Sequence, residues 1–235
     1  METSGAALRT ISIFREVAEG DLDVIAKRCQ WRRFSRDQQI LGYGDDSNDV
    51  FFVVMGRVRA INYSIAGKEV SFRDIEAGDM FGEFAAIDGQ PRSANVVALS
   101  DTMLAAMSAN VFWDAVLGHP EVTRATMKRL TAQVRSLTER VFEFSTLAVK
   151  NRIHAELLRL ARDHMDEENV AVIAPAPKHA DIASRLSTHR EAVTRELNEL
   201  AHSGLLERRE RNLVITDVAQ LKHMVEEVLG ERPRG

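Results

Sequence analysis

The stretch FGEFAAIDGQPRSA, residues 81–94, decides the fold class of this chain. It holds an acidic residue, Glu83, and ends in a Pro-Arg-Ser-Ala sequence that contains Arg92 and Ser93. An anionic ligand requires an arginine fork, hydroxyl groups and free backbone N–H groups, and glycine lets the backbone approach closely. An ionised Glu83 only accepts hydrogen bonds, so it suits a sugar hydroxyl and repels a phosphate. From the residues alone, the stretch is either such a ligand site or an ion pair between Glu83 and Arg92 across a turn.

Regularly spaced glycines surround this stretch. The glycines that recur at intervals of 12, 11, 11 and 11 residues are Gly44, Gly56, Gly67, Gly78 and Gly89. Short segments with many β-branched and aromatic residues lie between or near them, at 49–55, 58–63, 70–75 and 94–98. Turn signals about every 8–12 residues between short strands predict an all-β sandwich or barrel. Short helices are predicted on either side, at 21–28 and 109–117.

The pattern changes after Glu121, where apolar residues alternate in steps of three and four, as is typical of a coiled coil. The residues of this apolar stripe are Met127, Leu130, Val134, Leu137, Val141 and Phe144. They predict a helix over 121–146. The stripe either packs against the chain's own domain or pairs with the same stripe of a second copy. Its strict period favours a homodimer, because a stripe that faces a globular core is usually wider.

Beyond residue 148 the sequence predicts helices at 152–161, 178–186 and 189–202, followed by a hairpin with a charged tip. Helix, turn, helix and hairpin is the order of a winged helix-turn-helix. The predicted fold class is therefore α+β, in three parts. They are a β-domain at 1–120, a dimerisation helix and hinge at 121–148, and a winged helix-turn-helix at 149–235.

The helix predicted at 189–202 has an apolar and a polar face. Val193, Leu197 and Leu200 are expected to face inward. The polar face then carries His189, Arg190, Glu191, Thr194, Arg195 and Asn198. Exposed arginines can read guanine edges and a carboxylate can accept from cytosine, which favours DNA contact. The alternative is a solvated face with a capping box from Thr188 to Glu191 and an ion pair from Glu191 to Arg195.

These segments resemble the CRP/FNR family of transcription regulators, in sequence and in order. Residues 189–195, HREAVTR, are similar to the recognition helix of that family, and residues 82–94 are similar to the phosphate-binding cassette of its cyclic-nucleotide domain. The resemblance implies an N-terminal cyclic-nucleotide-binding β-roll of jelly-roll type. It also implies a C-terminal domain that binds double-stranded DNA at a palindromic TGTGA-like operator.

The resemblance also implies the roles of single residues. In the cassette, Arg92 and Ser93 are expected to bind the cyclic phosphate and Glu83 the ribose 2′-OH, with backbone contacts from Gly82, Phe84 and Ala85. A gapless alignment places Leu137 and Thr138 at the adenine-contacting positions. Because Leu137 cannot form hydrogen bonds, both cAMP and cGMP are expected effectors. The expected DNA-contacting residues are Lys178, Thr188, His189, Arg190, Glu191, Thr194 and Arg195. In this sequence His189 replaces a phosphate-contacting serine, and Ser187 stands where a turn glycine is common.

Composition and charge limit the other functions. The formal net charge of −4 gives no sign of nucleic-acid binding, so that prediction depends on the local motif. The single cysteine, Cys29, excludes an intrachain disulfide and a multi-cysteine iron–sulfur site. We expect no metal and no haem. The seven histidines have no spacing typical of a metalloenzyme or catalytic triad, so we expect no enzyme.

The apolar runs are too short for a membrane helix, and the N-terminus lacks a signal-peptide pattern. A cytoplasmic protein is therefore expected. Its expected partners are DNA, a cyclic nucleotide, a second copy of the chain and, for an activator, RNA polymerase. Two alternatives stay open. One is a regulator of this family that is ligand-independent or responds to another small molecule. The other is a cyclic-nucleotide-binding module that acts on a partner protein.

Overall fold

The computed structural model describes residues 4–162, 164–165 and 169–229. The chain divides into two compact units, residues 1–135 and 136–235, and the division falls inside a long helix. The three predicted parts treat that helix as a segment of its own, and this functional division stays a prediction. Within the described residues, no helix is both long and apolar enough to cross a membrane.

The first unit contains two four-stranded antiparallel sheets, in the orders β1-β8-β3-β6 and β2-β7-β4-β5. The strands are β1 (Gln30–Phe34), β2 (Gln39–Leu41), β3 (Val50–Met55), β4 (Arg57–Tyr63), β5 (Glu69–Glu76), β6 (Met80–Phe81), β7 (Asn95–Ala98) and β8 (Thr102–Met107). The predicted β-rich domain is thus confirmed. The four predicted segments correspond to β3, β4, β5 and β7, and the other four strands were not predicted.

The regularly spaced glycines mark the turns of this domain. All five have a positive φ, between +68° at Gly89 and +95° at Gly78. At Gly56, between β3 and β4, an added Cβ would lie 2.5 Å from the Asp101 carbonyl oxygen. A larger residue there would meet both a steric clash and an unfavourable backbone conformation. The glycine spacing is therefore a direct signal of the strand connections.

Strand β3 supplies residues to two separate cores. Phe51 and Val53 lie in the core that both sheets share, while Phe52 and Val54 pack with the helices of this unit. This explains why the strand reads as a continuous apolar run, since both of its faces are buried. The helices are α1 (Gly5–Arg9), α2 (Glu19–Lys27), α3 (Glu83–Asp88), α4 (Ala109–Gly118) and the long α5 (Pro120–Thr146), with a 3₁₀ turn at Ser12–Phe14.

The second unit contains the predicted winged helix-turn-helix. Its elements are the end of α5, α6 (Val149–Ala161), β9 (Ala171–Ile173), α7 (His179–Arg185), α8 (Arg190–His202), β10 (Leu206–Arg209), β11 (Asn212–Ile215) and α9 (Val218–Leu229). The strands form one antiparallel sheet in the order β10-β11-β9. Ser187, in the turn between α7 and α8, has a φ of +49°. The residue at the position where a turn glycine is common therefore has a left-handed backbone conformation in this chain.

A buried ion network joins the end of α5 to α6 and α7. Glu156 of α6 is 4% exposed and pairs with Arg159 and with Arg185, the latter at 2.9 Å. Arg159 also donates to both carboxylate oxygens of Glu143 on α5, at 2.9 and 3.1 Å. Arg140, one turn before Glu143, donates to the Arg185 carbonyl oxygen at 2.7 Å. The hinge side of the winged helix-turn-helix is therefore held by charged side chains as well as by its apolar core.

Candidate ligand site and candidate nucleic-acid interface

Gly82 begins the candidate ligand site, as the residue that precedes helix α3. Its φ is +81°, and an added Cβ would lie 2.8 Å from Arg92 Nη1 and 2.9 Å from the Asp49 carbonyl oxygen. Only glycine leaves room for the arginine to approach the backbone here. Gly82 therefore places the start of α3 against the Arg92 guanidinium.

Arg92 is 3% exposed and held by three hydrogen bonds. Its Nε donates to Ser47 Oγ at 3.0 Å, and its two Nη atoms donate to the Gly82 and Asp49 carbonyl oxygens at 2.8 Å each. Burial lowers the pKa of Arg92, and nearby carboxylates oppose that shift. Three of the five guanidinium N–H donors are thus used, which leaves two for an anionic ligand. The alternative in which Arg92 pairs with Glu83 across a turn is wrong.

Glu83, also 3% exposed, pairs instead with Arg129 of the long helix. Arg129 Nη1 lies 2.9 Å from Glu83 Oε1, its Nε lies 2.5 Å from Asp79 Oδ1, and its Nη2 donates to the Met80 carbonyl. Burial alone would lower the pKa of Arg129, but the two carboxylates raise it above its ordinary value. The Arg129 pair occupies only part of the acceptor capacity of the Glu83 carboxylate, so acceptor sites remain for a ligand hydroxyl.

A cavity of about 80 Å³ joins these groups. The cassette residues that line it are Gly82, Glu83, Phe84, Ala85, Arg92 and Ser93, as predicted for a common site. Two polar residues from outside the cassette, Arg73 of β5 and Gln133 of α5, line it as well. The enclosed volume is below the roughly 300–1,000 Å³ of typical small-molecule sites. Phe84 and Ser93 are exposed, so a nucleotide-sized ligand would extend from the enclosed part toward solvent.

The candidate nucleic-acid interface is the exposed face of α8. Arg190, Glu191 and Arg195 are exposed, whereas Val193 and Leu197 are buried. The polar and apolar faces of this helix are therefore those that the sequence predicted. Lys178 and His189, which immediately precede α7 and α8, are also exposed.

Within the described residues, neither the capping box nor the ion pair that the alternative for this face predicts is formed, and DNA contact of this face stays a prediction. Helix α8 begins at Arg190 with His189 as its N-cap, which makes no side-chain capping bond. Thr188 lies outside the helix, 8% exposed, and its N–H donates to the Ala183 carbonyl oxygen at 3.0 Å. Its side chain is the least accessible of the predicted DNA contacts. In the part of the chain that the structure describes, Glu191 and Arg195 form no ion pair with each other.

The comparison with known proteins matches both halves of the chain. The cyclic nucleotide-binding domain family matches residues 31–119, and the Crp-like helix-turn-helix domain family matches residues 151–224. The chain belongs to the CRP/FNR family. It is a transcription regulator of the CRP/FNR type, with a cyclic nucleotide-binding domain and a DNA-binding helix-turn-helix domain.

Relatives of this CRP/FNR regulator match over most of their length. The chain is 21% identical over 215 residues to a CRP-like cAMP-activated global transcriptional regulator of Mycobacterium tuberculosis, covering 91% of this chain and 96% of that protein. It is 26% identical over 194 residues to the cyclic AMP receptor protein of Thermus thermophilus, covering 83% and 87%. The structure of a CooA mutant from Carboxydothermus hydrogenoformans has a TM-score of 0.79 at 24% identity, covering 92% and 95%, which shows a shared fold.

The structure also adds two basic residues near α8 that the sequence analysis did not select. His179 and Arg208 line a groove of about 490 Å³ together with Lys178 and Arg190. Thr194 Oγ1 lies 3.0 Å from the Arg190 carbonyl oxygen and 2.7 Å from His179 Nδ1, so Thr194 links the His179 ring to the start of α8. Burial, then the charges of Arg190 and Arg208, lower the pKa of His179. Its imidazole is therefore neutral at neutral pH.

The apolar stripe of this CRP/FNR regulator is largely exposed in the single chain. Met127, Val134 and Val141 are 64%, 62% and 66% exposed, and Leu137 is 47% exposed. Leu130 and Phe144 are half-buried. The chain's own domains thus do not bury the stripe, contrary to the first of the two predicted alternatives.

The residues predicted to contact the base of the ligand are not the α5 residues that line the cavity. Leu137 and Thr138 belong to the second unit, and their predicted role stays a prediction. The α5 residue that lines the cavity is Gln133, about one turn before Leu137. Gln133 and Arg129 were not selected from the sequence, although their spacing of four residues places them on one helix face.

Trp113 supports the cassette from helix α4. Its Nε1–H donates to the Ala86 carbonyl oxygen of α3 at 2.9 Å. The short helix that begins at Glu83 is thus fixed at both ends, by Arg129 and by Trp113. A bond between residues 27 positions apart gives no local signal in the sequence.

Proposed function

We propose that cAMP or cGMP binds in the cavity beside Arg92 and controls the DNA binding of a homodimer. The Arg92 guanidinium and the Ser93 hydroxyl bind the cyclic phosphate, and Glu83 accepts a hydrogen bond from the ribose 2′-OH. The backbone at Gly82, Phe84 and Ala85 approaches the ligand closely. First-turn N–H groups of α3 are available for this, since the first turn of a helix leaves them without intrahelical partners.

The observation that carries this proposal is the arrangement of two buried charges of opposite sign in one cavity. A buried charge is costly unless it is paired or hydrogen-bonded. Arg92 has two donors left after its protein contacts, and the Glu83 carboxylate is held in place by Arg129. A cyclic phosphate attached to a ribose presents an anion and a hydroxyl donor together, which matches these two groups.

For DNA recognition, the exposed side chains of Arg190, Glu191 and Arg195 enter the major groove. Arginine forks read guanine O6 and N7, and the carboxylate accepts from cytosine N4. Lys178, Thr188, His189 and Thr194 contact the adjoining backbone. The operator is an inverted repeat of TGTGA-like arms, because two recognition helices of a symmetric dimer lie about one helical turn apart on DNA.

The dimer forms through the apolar stripe of α5. Met127 and Val141 expose about two-thirds of their surface in the single chain, which favours a partner helix over solvent. In the dimer, Thr138 beside Leu137 is expected to contact the purine, as the family resemblance implies. A purine that meets one hydrogen-bonding residue there is selected less strictly than one that meets two.

The mechanism is a shift between two arrangements of the dimer. The ligand binds one arrangement more tightly, and this arrangement spaces the two α8 helices for DNA. The gain in DNA affinity cannot exceed the ligand's preference for that arrangement. Where the protein activates a promoter, RNA polymerase is a further partner.

One observation favours a second candidate function, a regulator of the same family with a smaller ligand or none. The enclosed cavity of about 80 Å³ is small for a nucleotide. On this candidate, Arg92 and Glu83 hold the β-domain together and DNA binding needs no cyclic nucleotide. The two candidates differ in whether a cyclic nucleotide changes the affinity for DNA.

Two variants test the proposal from opposite ends. We expect Arg92→Ala to lose cyclic-nucleotide binding and keep weak, ligand-independent DNA binding. Arg92→Lys, which keeps the charge without the fork, is expected to lose most of the affinity as well. Arg190→Ala is expected to lose specific DNA binding while binding the nucleotide as wild type does. Isothermal titration calorimetry measures nucleotide binding by each variant, and fluorescence anisotropy of a labelled duplex measures DNA binding.

The controls remove exposed cations elsewhere in each unit, Arg36→Ala and Lys222→Ala, and are expected to behave as wild type. If both Arg92 variants bind the nucleotide as tightly as wild type, the ligand site is wrong. If Arg190→Ala still distinguishes the operator from a scrambled duplex, the recognition helix is wrong.

A further inference from the structure

Two polar residues outside the cassette, Arg73 and Gln133, lie at the same cavity as Glu83 and Arg92. Arg73 is on β5 and Gln133 is on the long helix α5. Neither is required to hold the cyclic phosphate or the ribose in the proposed function. They are therefore available to contact the remaining part of the ligand, the base.

Arg73 determines which way the Gln133 amide points. Arg73 Nη1 donates to Gln133 Oε1 at 3.3 Å. A guanidinium has only donors, so the amide oxygen must face it, and the reversed amide would place N–H against N–H. Within the described residues, Gln133 Nε2 has no hydrogen-bond partner. The amide nitrogen is thus left to present its N–H groups to a ligand.

Arg73 itself is fixed by contacts on its other side. Its Nη2 donates to the Met80 carbonyl oxygen at 2.8 Å and lies 3.5 Å from Asp79. Arg129 donates to the same carbonyl and pairs with the same aspartate. The orientation of Gln133 is therefore imposed by a group that is itself anchored to the start of the cassette.

The two side chains together present hydrogen-bond donors. On the purine edge that carries position 6 and N7, guanine and hypoxanthine have two acceptors, O6 and N7. Adenine has the N7 acceptor and an amino donor at position 6 on the same edge. A donor facing the adenine amino group forms no bond and leaves both groups unpaired. We infer that Gln133, oriented by Arg73, selects 6-oxopurine cyclic nucleotides over cAMP. This inference rests on the proposed cyclic-nucleotide site and names its preferred ligand class.

The test is a titration of the full chain with cAMP, cGMP and the cyclic nucleotide of hypoxanthine, cIMP. The last has the 6-oxo group of cGMP without its 2-amino group, so it differs from cAMP only in the 6-oxo group and the N1 proton that accompanies it. We expect cIMP and cGMP to bind about tenfold more tightly than cAMP, the range of a made against an unmade hydrogen bond. Equal or tighter binding of cAMP than of cIMP would overturn the inference and leave the proposed site intact. Failure of all three to bind would overturn the proposed site as well.

Variants separate the roles of the two residues. Gln133→Leu is expected to bring cAMP and cIMP within about twofold of each other, because the donor that distinguishes them is gone. Gln133→Glu offers only acceptors and is expected to reverse the preference. Arg73→Met frees the amide to rotate and is expected to reduce the preference without abolishing binding. Gln220→Leu, the same change at an exposed position of α9, is the control and keeps the wild-type ratio. A wild-type ratio in all three test variants would contradict the assignment.

Discussion

The Arg129 guanidinium on α5 lies 2.9 Å from the Glu83 carboxylate at the start of α3. The same guanidinium binds Asp79 and the Met80 carbonyl, so it spans the short segment that leads into the cassette. A ligand that donates a hydrogen bond to Glu83 therefore binds a carboxylate that is paired directly with a side chain of the long helix. This links the ligand site physically to the element that carries the apolar stripe.

The first prediction concerns the stability that this pair provides. Arg129→Met leaves Glu83 buried without its cation, which is expected to lower the free energy of unfolding by about 3–5 kcal/mol. The double variant Arg129→Met with Glu83→Gln removes the buried charge and is expected to recover most of that loss. Urea unfolding of the wild type, the single variant and the double variant measures these free energies. Lys128→Met, an exposed neighbour on the same helix, is expected to change stability by less than about 0.5 kcal/mol. Equal losses in the single and double variants would contradict this account.

The second prediction concerns the turn of the helix-turn-helix. Ser187 has a φ of +49°, which costs a serine more than a glycine. We expect Ser187→Gly to stabilise the second unit by about 0.5–1 kcal/mol, after the greater entropy of the unfolded glycine chain is subtracted. Calorimetry is expected to show a midpoint a few degrees higher. The control is Ser203→Gly, where φ is −77° and glycine is expected to destabilise. A lower midpoint for Ser187→Gly would show that the side chain matters more than the backbone.

The third prediction concerns the ion network at the hinge. Arg159 pairs with Glu143 on α5 and with the buried Glu156. We expect Arg159→Met to lower the stability of the second unit by about 2–3 kcal/mol, less than for a fully buried pair because the Arg159 side chain is one-third exposed. Arg162→Met, at the exposed end of α6, is the matched control. Equal midpoints for the two variants in calorimetry would show that the network contributes nothing measurable.

The fourth prediction concerns Cys29, the single cysteine of the chain. Burial raises the pKa of the Cys29 thiol from 9.0 to about 12, against a smaller opposite effect of Arg28. Because the folded pKa is raised, this group contributes stability that is present below about pH 9 and lost as the pH rises toward 12. We expect Cys29→Ala to lose less free energy of unfolding than wild type as the pH rises from 8 to 10, measured by urea unfolding at each pH.

The burial of Cys29 is also tested by labelling. In native wild type at pH 8, a thiol reagent is expected to react only as fast as the β-domain opens. Fast labelling of the folded chain would contradict the burial.

Much of the fold was predictable because its signals are local. The spaced glycines predicted strand connections, and each of them has the positive φ that such turns require. The apolar stripe predicted α5 within one residue at its start. Strand β8 was missed because its six residues are buried without alternation and, unlike those of β3, include no aromatic and only one β-branched residue.

The candidate site was predictable only where its residues are contiguous. Arg92, Ser93 and Glu83 follow a motif, and they do line one cavity. Arg129 lies 46 positions from Glu83, and no local pattern joins them. A weaker signal was present, since Val122, Thr126, Arg129 and Gln133 follow steps of four, three and four and form a second stripe on α5. Val122 and Thr126 are buried, so this stripe faces the β-domain.

The central claim is that a cyclic nucleotide controls the affinity for DNA. Fluorescence anisotropy of a labelled TGTGA-N6-TCACA duplex, titrated with the full chain alone and with saturating cAMP or cGMP, tests it most directly. We expect at least one nucleotide to tighten binding to this duplex by about tenfold or more, with no such gain on a scrambled duplex. Unchanged affinity for the operator at millimolar concentrations of both nucleotides would contradict the claim.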